Sequence, residues 1–159
     1  MNWPAYREYK ASQVDWLGDL PTHWRTKPLW SMFTRIKNTG FPDEPMLSVY
    51  RDHGVVLKDS RDDNLNKTAE DRNIYQLVNP GWLVTNRMKA WQGSVGISSH
   101  RGIASGHYIC FRPEHAEVDS YLNYLLRSDR YIAGYQILSR GVRPGRRRLT
   151  TTYTDRCLL

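Results

Sequence analysis

The side chains best equipped for chemistry in this sequence are cations and amides strung along glycine-punctuated stretches. The run Arg140-Gly141-Val142-Arg143-Pro144-Gly145-Arg146-Arg147-Arg148 carries five arginines on a backbone that one proline and two glycines keep out of a helix. Upstream, 86–112 holds four bases (Arg87, Lys89, Arg101, Arg112) and no acid, and it includes Gln92 and His107. Planar guanidinium groups grip phosphates or take guanine edges bidentately, and a carboxamide does the same for adenine. The expected DNA-contacting set is therefore Lys89, Gln92, Arg101, His107, Arg140, Arg143, Arg146 and Arg147. Within it, Gln92 is the candidate for adenine and Arg101 for guanine, while Arg143, Arg146 and Arg147 take phosphates or guanine edges. A basic tail that is merely solvated is the plainer alternative for the arginines. Met88 and Trp91 fit a core role as well as a base-stacking one.

Catalytic arrangements fare worse. Asn79-Pro80-Gly81-Trp82 is only distantly similar to the Asn-Pro-Pro-Tyr loop that holds a target amine, no glycine-rich methyl-donor loop precedes it, and a β-turn accounts for it. Glu8-Tyr9-Lys10 has the acid-x-lysine form of a nuclease metal site without an upstream aspartate at suitable distance. The histidines at 23, 53, 100, 107 and 115 show no HxxxH or HxH spacing, so no metal site is expected. Cys110 lies between Ile109 and Phe111 in an apolar strand pattern, where a small buried residue is the natural role. Ser98, Ser99 and Ser105 sit among glycines without a GxSxG elbow. No cofactor is expected, and the chain is read as a non-enzyme.

The bulk properties set the frame for those residues. A chain of 159 residues, 40% hydrophobic and 25% charged, suits a single domain, 1–159. The net charge of +7 and pI near 9.6 are concentrated in segments: acids outnumber bases over 43–72, whereas 127–148 has seven arginines against Asp129. Segmental basic excess is the electrostatic footprint of a phosphate-binding face. No apolar run is long enough for a membrane helix, the N-terminus lacks a secretory core, and two cysteines make no disulfide framework. A cytoplasmic, reduced protein is expected.

The elements that must position these side chains follow from periodicity. In 27–37, Leu29, Met32, Phe33 and Ile36 fall at i, i+3, i+4 and i+7, which predicts a helix closing an N-terminal segment, 1–40. A β-rich part spans 45–112. There 46–50 and 55–58 flank a turn with glycine last, 74–78 and 82–86 flank Asn79-Pro80-Gly81, and 94–98 and 107–111 are further strands. The polar segment 59–71 reads as an exposed loop. A helical part, 116–138, places Val118, Tyr121, Leu122 and Leu125 on one stripe and continues or restarts through Ile132, Tyr135 and Leu138. The basic tail, 139–159, is a candidate last strand. Trp16, Leu17, Trp24 and Trp30 are expected to anchor the N-terminal segment. The sum is an α+β domain with a curved, mainly antiparallel β-sheet and flanking helices.

Three segments resemble the specificity subunits of type I restriction-modification systems. Tyr9-Lys10-Ala11-Ser12-Gln13-Val14-Asp15-Trp16-Leu17-Gly18-Asp19-Leu20-Pro21-Thr22-His23-Trp24 is similar to that family's opening Tyr-Lys-x-Ser-x-Val-x-Trp-Leu-Gly-x-Ile-Pro-x-His-Trp. Gly81 through Gly93, then Gly102-Ile103-Ala104-Ser105-Gly106-His107-Tyr108, resembles its Asn-x-Met-x-x-Trp-x-Gly strand end and Gly-Ile-Val-Ser-Pro-x-Tyr. The helix from Tyr121 into Ser139-Arg140-Gly141-Val142-Arg143 resembles its Ser-x-Gly turn before a last strand. Together they span residues 6 to about 150. The resemblance implies a target recognition domain that reads one half of a split double-stranded DNA site. It also implies methyltransferase (modification) and restriction subunits as partners in the full-length context, and no membrane. Gly106-His107 departs from the family's Pro-Ala or Pro-Asp. The chain stops about where the family enters its spacer helix, so an excised domain, a truncated product or a half-subunit is expected. A decoy module competing for methyltransferase subunits is the alternative.

Overall fold

A computed structural model describes residues 4–60, 70–143 and 146–149, with the backbone path alone for 140–143 and 146–149. The strands in chain order are β1 (Tyr9–Ala11), β2 (Asp19–Pro21), β3 (Phe33–Ile36), β4 (Leu47–Tyr50), β5 (Gly54–Leu57), β6 (Gln76–Val78), β7 (Leu83–Asn86), β8 (Val95–Ile97), β9 (Gly102–Ala104) and β10 (Tyr108–Pro113). Helices α1 (Asp119–Leu126) and α2 (Asp129–Leu138) follow, and then β11 (Ser139–Arg143) and β12 (Arg146–Leu149). The central sheet has the order β3-β10-β7-β8, and four two-stranded pairs, β1-β2, β4-β5, β6-β9 and β11-β12, surround it. Every named pairing is antiparallel. The coarse α+β class expected from the sequence is what the chain adopts.

Strand alternation divides the core between the two faces of the central sheet. In β7 and β10, Leu83 stands opposite Phe111 and Val84 opposite Cys110. Leu83 and Phe111 join Val95, Ile97, Leu122, Leu126, Tyr131 and Tyr135 beneath the helices, whereas Val84 and Cys110 join Leu47, Val49, Val55 and Val78 beneath the β4-β5 and β6-β9 pairs. Both faces are therefore covered, so β7 and β8 are buried at nearly every position rather than at alternate ones. β4-β5 is the hairpin its turn residues predict, closed by Gly54 at φ 69°.

The helix expected over 27–37 does not form. Leu29–Ser31 makes a single 3-10 turn, and Phe33–Ile36 extends to pair with β10. A helix would have kept Phe33 and Ile36 on one side; the strand sends Phe33 to the helix-side core and Ile36 to the opposite one. Edge pairing with β10 overrides a stripe that periodicity alone cannot tell from this arrangement. Trp30, at the middle of the 3-10 turn, is 58% exposed because Leu29 and Met32 take the inward positions. Leu17 is buried, and Trp16 and Trp24 pack at the core's edge, as expected of anchors.

The helical part restarts rather than continues. Ser128 donates through Oγ to Leu125 O at 2.7 Å, which closes α1, and the Tyr135 hydroxyl donates to Leu126 O at 2.6 Å, which ties α2 back onto it. Trp16 meets Tyr131 edge-on, with ring centroids 5.2 Å apart, and lies over Gly134. A Cβ at position 134 would stand 2.6 Å from Trp16 Cδ2, so only glycine lets the indole approach this closely. The tail forms two strands rather than one.

Candidate nucleic-acid interface

The β7–β8 connection carries the clearest functional side chains, and its shape follows from local capping. Asn86 Oδ1 accepts hydrogen bonds from the backbone N–H groups of Met88 and Lys89 at 3.0 and 3.1 Å. That Asx arrangement turns the chain out of β7. A 3-10 turn, Ala90–Gln92, follows and is ended by Gly93 in the left-handed region at φ 94°. Ala90 points inward at 1% exposure, Lys89 is exposed and Gln92 is half-buried. Trp91 Nε1 donates to Met88 O at 3.0 Å while its ring packs against the helix-side core, so it serves the fold rather than a base.

His107 joins this end of the sheet. The Arg87 N–H donates to His107 O at 2.9 Å, and β10 begins beside Asn86. The β9–β10 turn is held by Gln76, which is 6% exposed and donates from Nε2 to Ser105 O at 3.1 Å and Tyr108 O at 3.0 Å. Lys89, Gln92, Arg87 and His107 thus gather where β7 ends and β10 begins. The backbone of β12 packs beside the Ala90–Gln92 turn, which brings the arginine-rich pair alongside Gln92. Its register sets Arg140 opposite Arg148 and Arg143 opposite Arg146, with a bulge between Gly141 and Arg143. The side chains expected to contact DNA at 140, 143, 146 and 147 lie outside the described residues.

Arg101 does not join the group. It sits beyond β8, next to the Leu83–Ile97 end of the hairpin, about 10 Å of strand away from Lys89 and Gln92. Its Nε pairs with Glu44 Oε1 at 2.7 Å and its Nη1 donates to Asn79 Oδ1 at 2.6 Å. That guanidinium links the β6–β7 turn to the segment before β4.

Two cations absent from the sequence-based set do approach the site. A Cβ on Gly93 would lie 3.6 Å from Arg51 Cγ, so the β4–β5 turn reaches the Ala90–Gln92 turn. Arg127 Nη2 donates to Arg51 O at 3.0 Å, and Arg127 Nε is buried without a hydrogen-bond partner among the described residues. Arg51 pairs with Asp52 at 3.3 Å, but both side chains are largely exposed, so this contact holds the arginine only weakly.

Among the described residues no three His, Cys, Asp or Glu side chains converge as a metal-binding group. Asn79-Pro80-Gly81-Trp82 is a turn, with Gly81 at φ 84° and the Trp82 N–H donating to Asn79 O at 3.1 Å, and the Asn79 amide is already engaged by Arg101. Burial pushes the Cys110 thiol up to about 12, which keeps it a packed apolar residue instead of a nucleophile. Residues 61–69 of the acidic segment and Cys157 lie outside the described residues. No helix among the described residues is long and apolar enough to cross a membrane. No protein-family model matches the sequence, and no curated protein matches it either.

Proposed function

We propose that this chain is a duplex-DNA recognition domain of the target-recognition kind, serving a type I restriction-modification enzyme as part of its specificity subunit. The observation that carries the reading is the packing of arginine-rich β12 beside the turn bearing Lys89 and Gln92, with Arg51, Arg127 and His107 close by. Cations there release counterions from the phosphate backbone and provide affinity, and the Gln92 amide reads a base edge in the major groove. Arg101 has a structural role in this scheme. The domain carries out no catalysis itself; methyltransferase and restriction subunits act at the site it selects.

The test is a fluorescence titration of labelled duplexes over a range of salt concentrations. Reversing charge at Arg143 and Arg146 together should weaken binding to all duplexes alike and reduce the salt slope by about 2, roughly 0.9 per lost phosphate contact. An unchanged slope removes the tail from the interface. Gln92→Ala should relax sequence preference with little change on random DNA; equal losses on selected and random duplexes would rule out base reading by this residue.

A further inference from the structure

We propose that the cleft between the N-terminal segment and α1 is a docking site for an acidic amphipathic helix of a partner protein. This stands independently of the DNA reading, because the cleft shares no lining residue with the Lys89–Gln92 face. Its volume is about 370 Å³, with Leu17, Leu20 and Trp24 on one wall and Leu122, Leu125 and Tyr131 on the other. That is the scale and lining of a binding cavity, with room for one aromatic or two aliphatic side chains.

Three features specify the occupant. First, the apolar surface continues outside the cleft, since Val118, Tyr121 and Tyr124 are 65%, 46% and 80% exposed. Contiguous exposed tyrosine and aliphatic surface marks protein contact. Second, Tyr121 and Leu125 fall at i and i+4 along α1, with Val118 at its N-cap, a ridge against which a second helix packs. Third, the rim is cationic. Arg25 and Lys27 line it, are exposed, and have no ion pair among the described residues. Glu117 is the opposing acid on the lining, so the rim is net positive by one charge, two cations less one acid. A helix with an apolar stripe and flanking glutamates complements this surface, whereas a neutral or basic one leaves Arg25 and Lys27 unmatched.

The experiment uses the full chain and a fluorescein-labelled helical peptide of about five turns, with leucines at i, i+3 and i+7 and glutamates flanking them. A second peptide carries lysines in place of the glutamates. Fluorescence anisotropy should show saturable binding of the acidic peptide only. The double substitution Arg25→Glu, Lys27→Glu should weaken it at least about tenfold and transfer preference to the basic peptide. Both positions are exposed, so circular dichroism should be unchanged, and the gained affinity for the basic peptide separates lost complementarity from lost folding. Absence of saturable binding, or equal affinity for the two peptides, overturns the proposal. So does self-association in sedimentation that disappears in Tyr121→Ser, which would make a second copy of the chain the occupant.

Discussion

Replacing Gln76 by methionine tests whether one buried amide holds the turn that presents His107. Methionine is close to glutamine in length and unbranched, so the cavity contribution is small and the loss is mainly of hydrogen bonds. Two carbonyls lose the hydrogen bond from the amide, Ser105 O at 3.1 Å and Tyr108 O at 3.0 Å. Ser105 O keeps the Tyr108 N–H as a donor at 3.1 Å, and Tyr108 is buried at 9% exposure. At about 1–1.5 kcal/mol each, the substitution should cost about 2–3 kcal/mol. For a chain of this length that corresponds to a fall in Tm of about 4–12 °C, read by tryptophan fluorescence on heating at neutral pH. Because the freed turn carries His107, DNA affinity should fall in the same variant. A Tm within about 1 °C of the parent would refute the reasoning, since it would mean that neither bond contributes net stability.

Two further expectations concern one buried and one half-buried titratable group. Cys110 should resist iodoacetamide at pH 8 in the folded chain and react readily in concentrated guanidinium, with each site followed by mass spectrometry; equal rates would contradict its burial. His115 packs its ring on Phe33 at 4.7 Å, and burial, the largest influence, holds its pKa below the ordinary value against the opposing pull of Asp119 and Glu117. The unfolded chain therefore binds this proton more readily. The stability at stake is fully present above about pH 6.5 and declines as pH falls below it. His115→Gln should flatten the fall in Tm between pH 7.5 and 5.5, and an unaltered fall would show that another group is responsible.

What the sequence disclosed depended on how local each determinant was. The β4-β5 hairpin was readable because Gly54 closes a four-residue turn between two apolar runs. The α1–α2 pair was readable because apolar residues recur at helical spacing on each side of Ser128-Asp129, where the chain breaks and restarts. The 27–37 segment was misread because its fate depends on the edge of β10, about 75 residues downstream, and no nearby residue signals that pairing. Arg101 looked available because its acid partner, Glu44, is 57 residues away. Arg51 was not singled out because it lies in a turn some forty residues before Gly93, and only the packing of the β4–β5 turn brings it to the site. β9 escaped notice since a three-residue strand of Gly-Ile-Ala carries no periodic signal.

The lodging of Trp16 over Gly134, with Arg130 Nη1 donating to Leu17 O across 113 residues, constrains how the protein is made. On a ribosome the N-terminal strands emerge well before the helix that covers them. Until α2 has been synthesised, Trp16 lacks Tyr131 and Gly134, Leu17 O lacks the Arg130 guanidinium, and the helix-side core stays open. Long-range closure of this kind is slow and leaves apolar side chains accessible to other nascent chains. The demanding interval for this protein is thus its own translation, when its first forty residues wait, sticky and unshielded, for the arrival of α2.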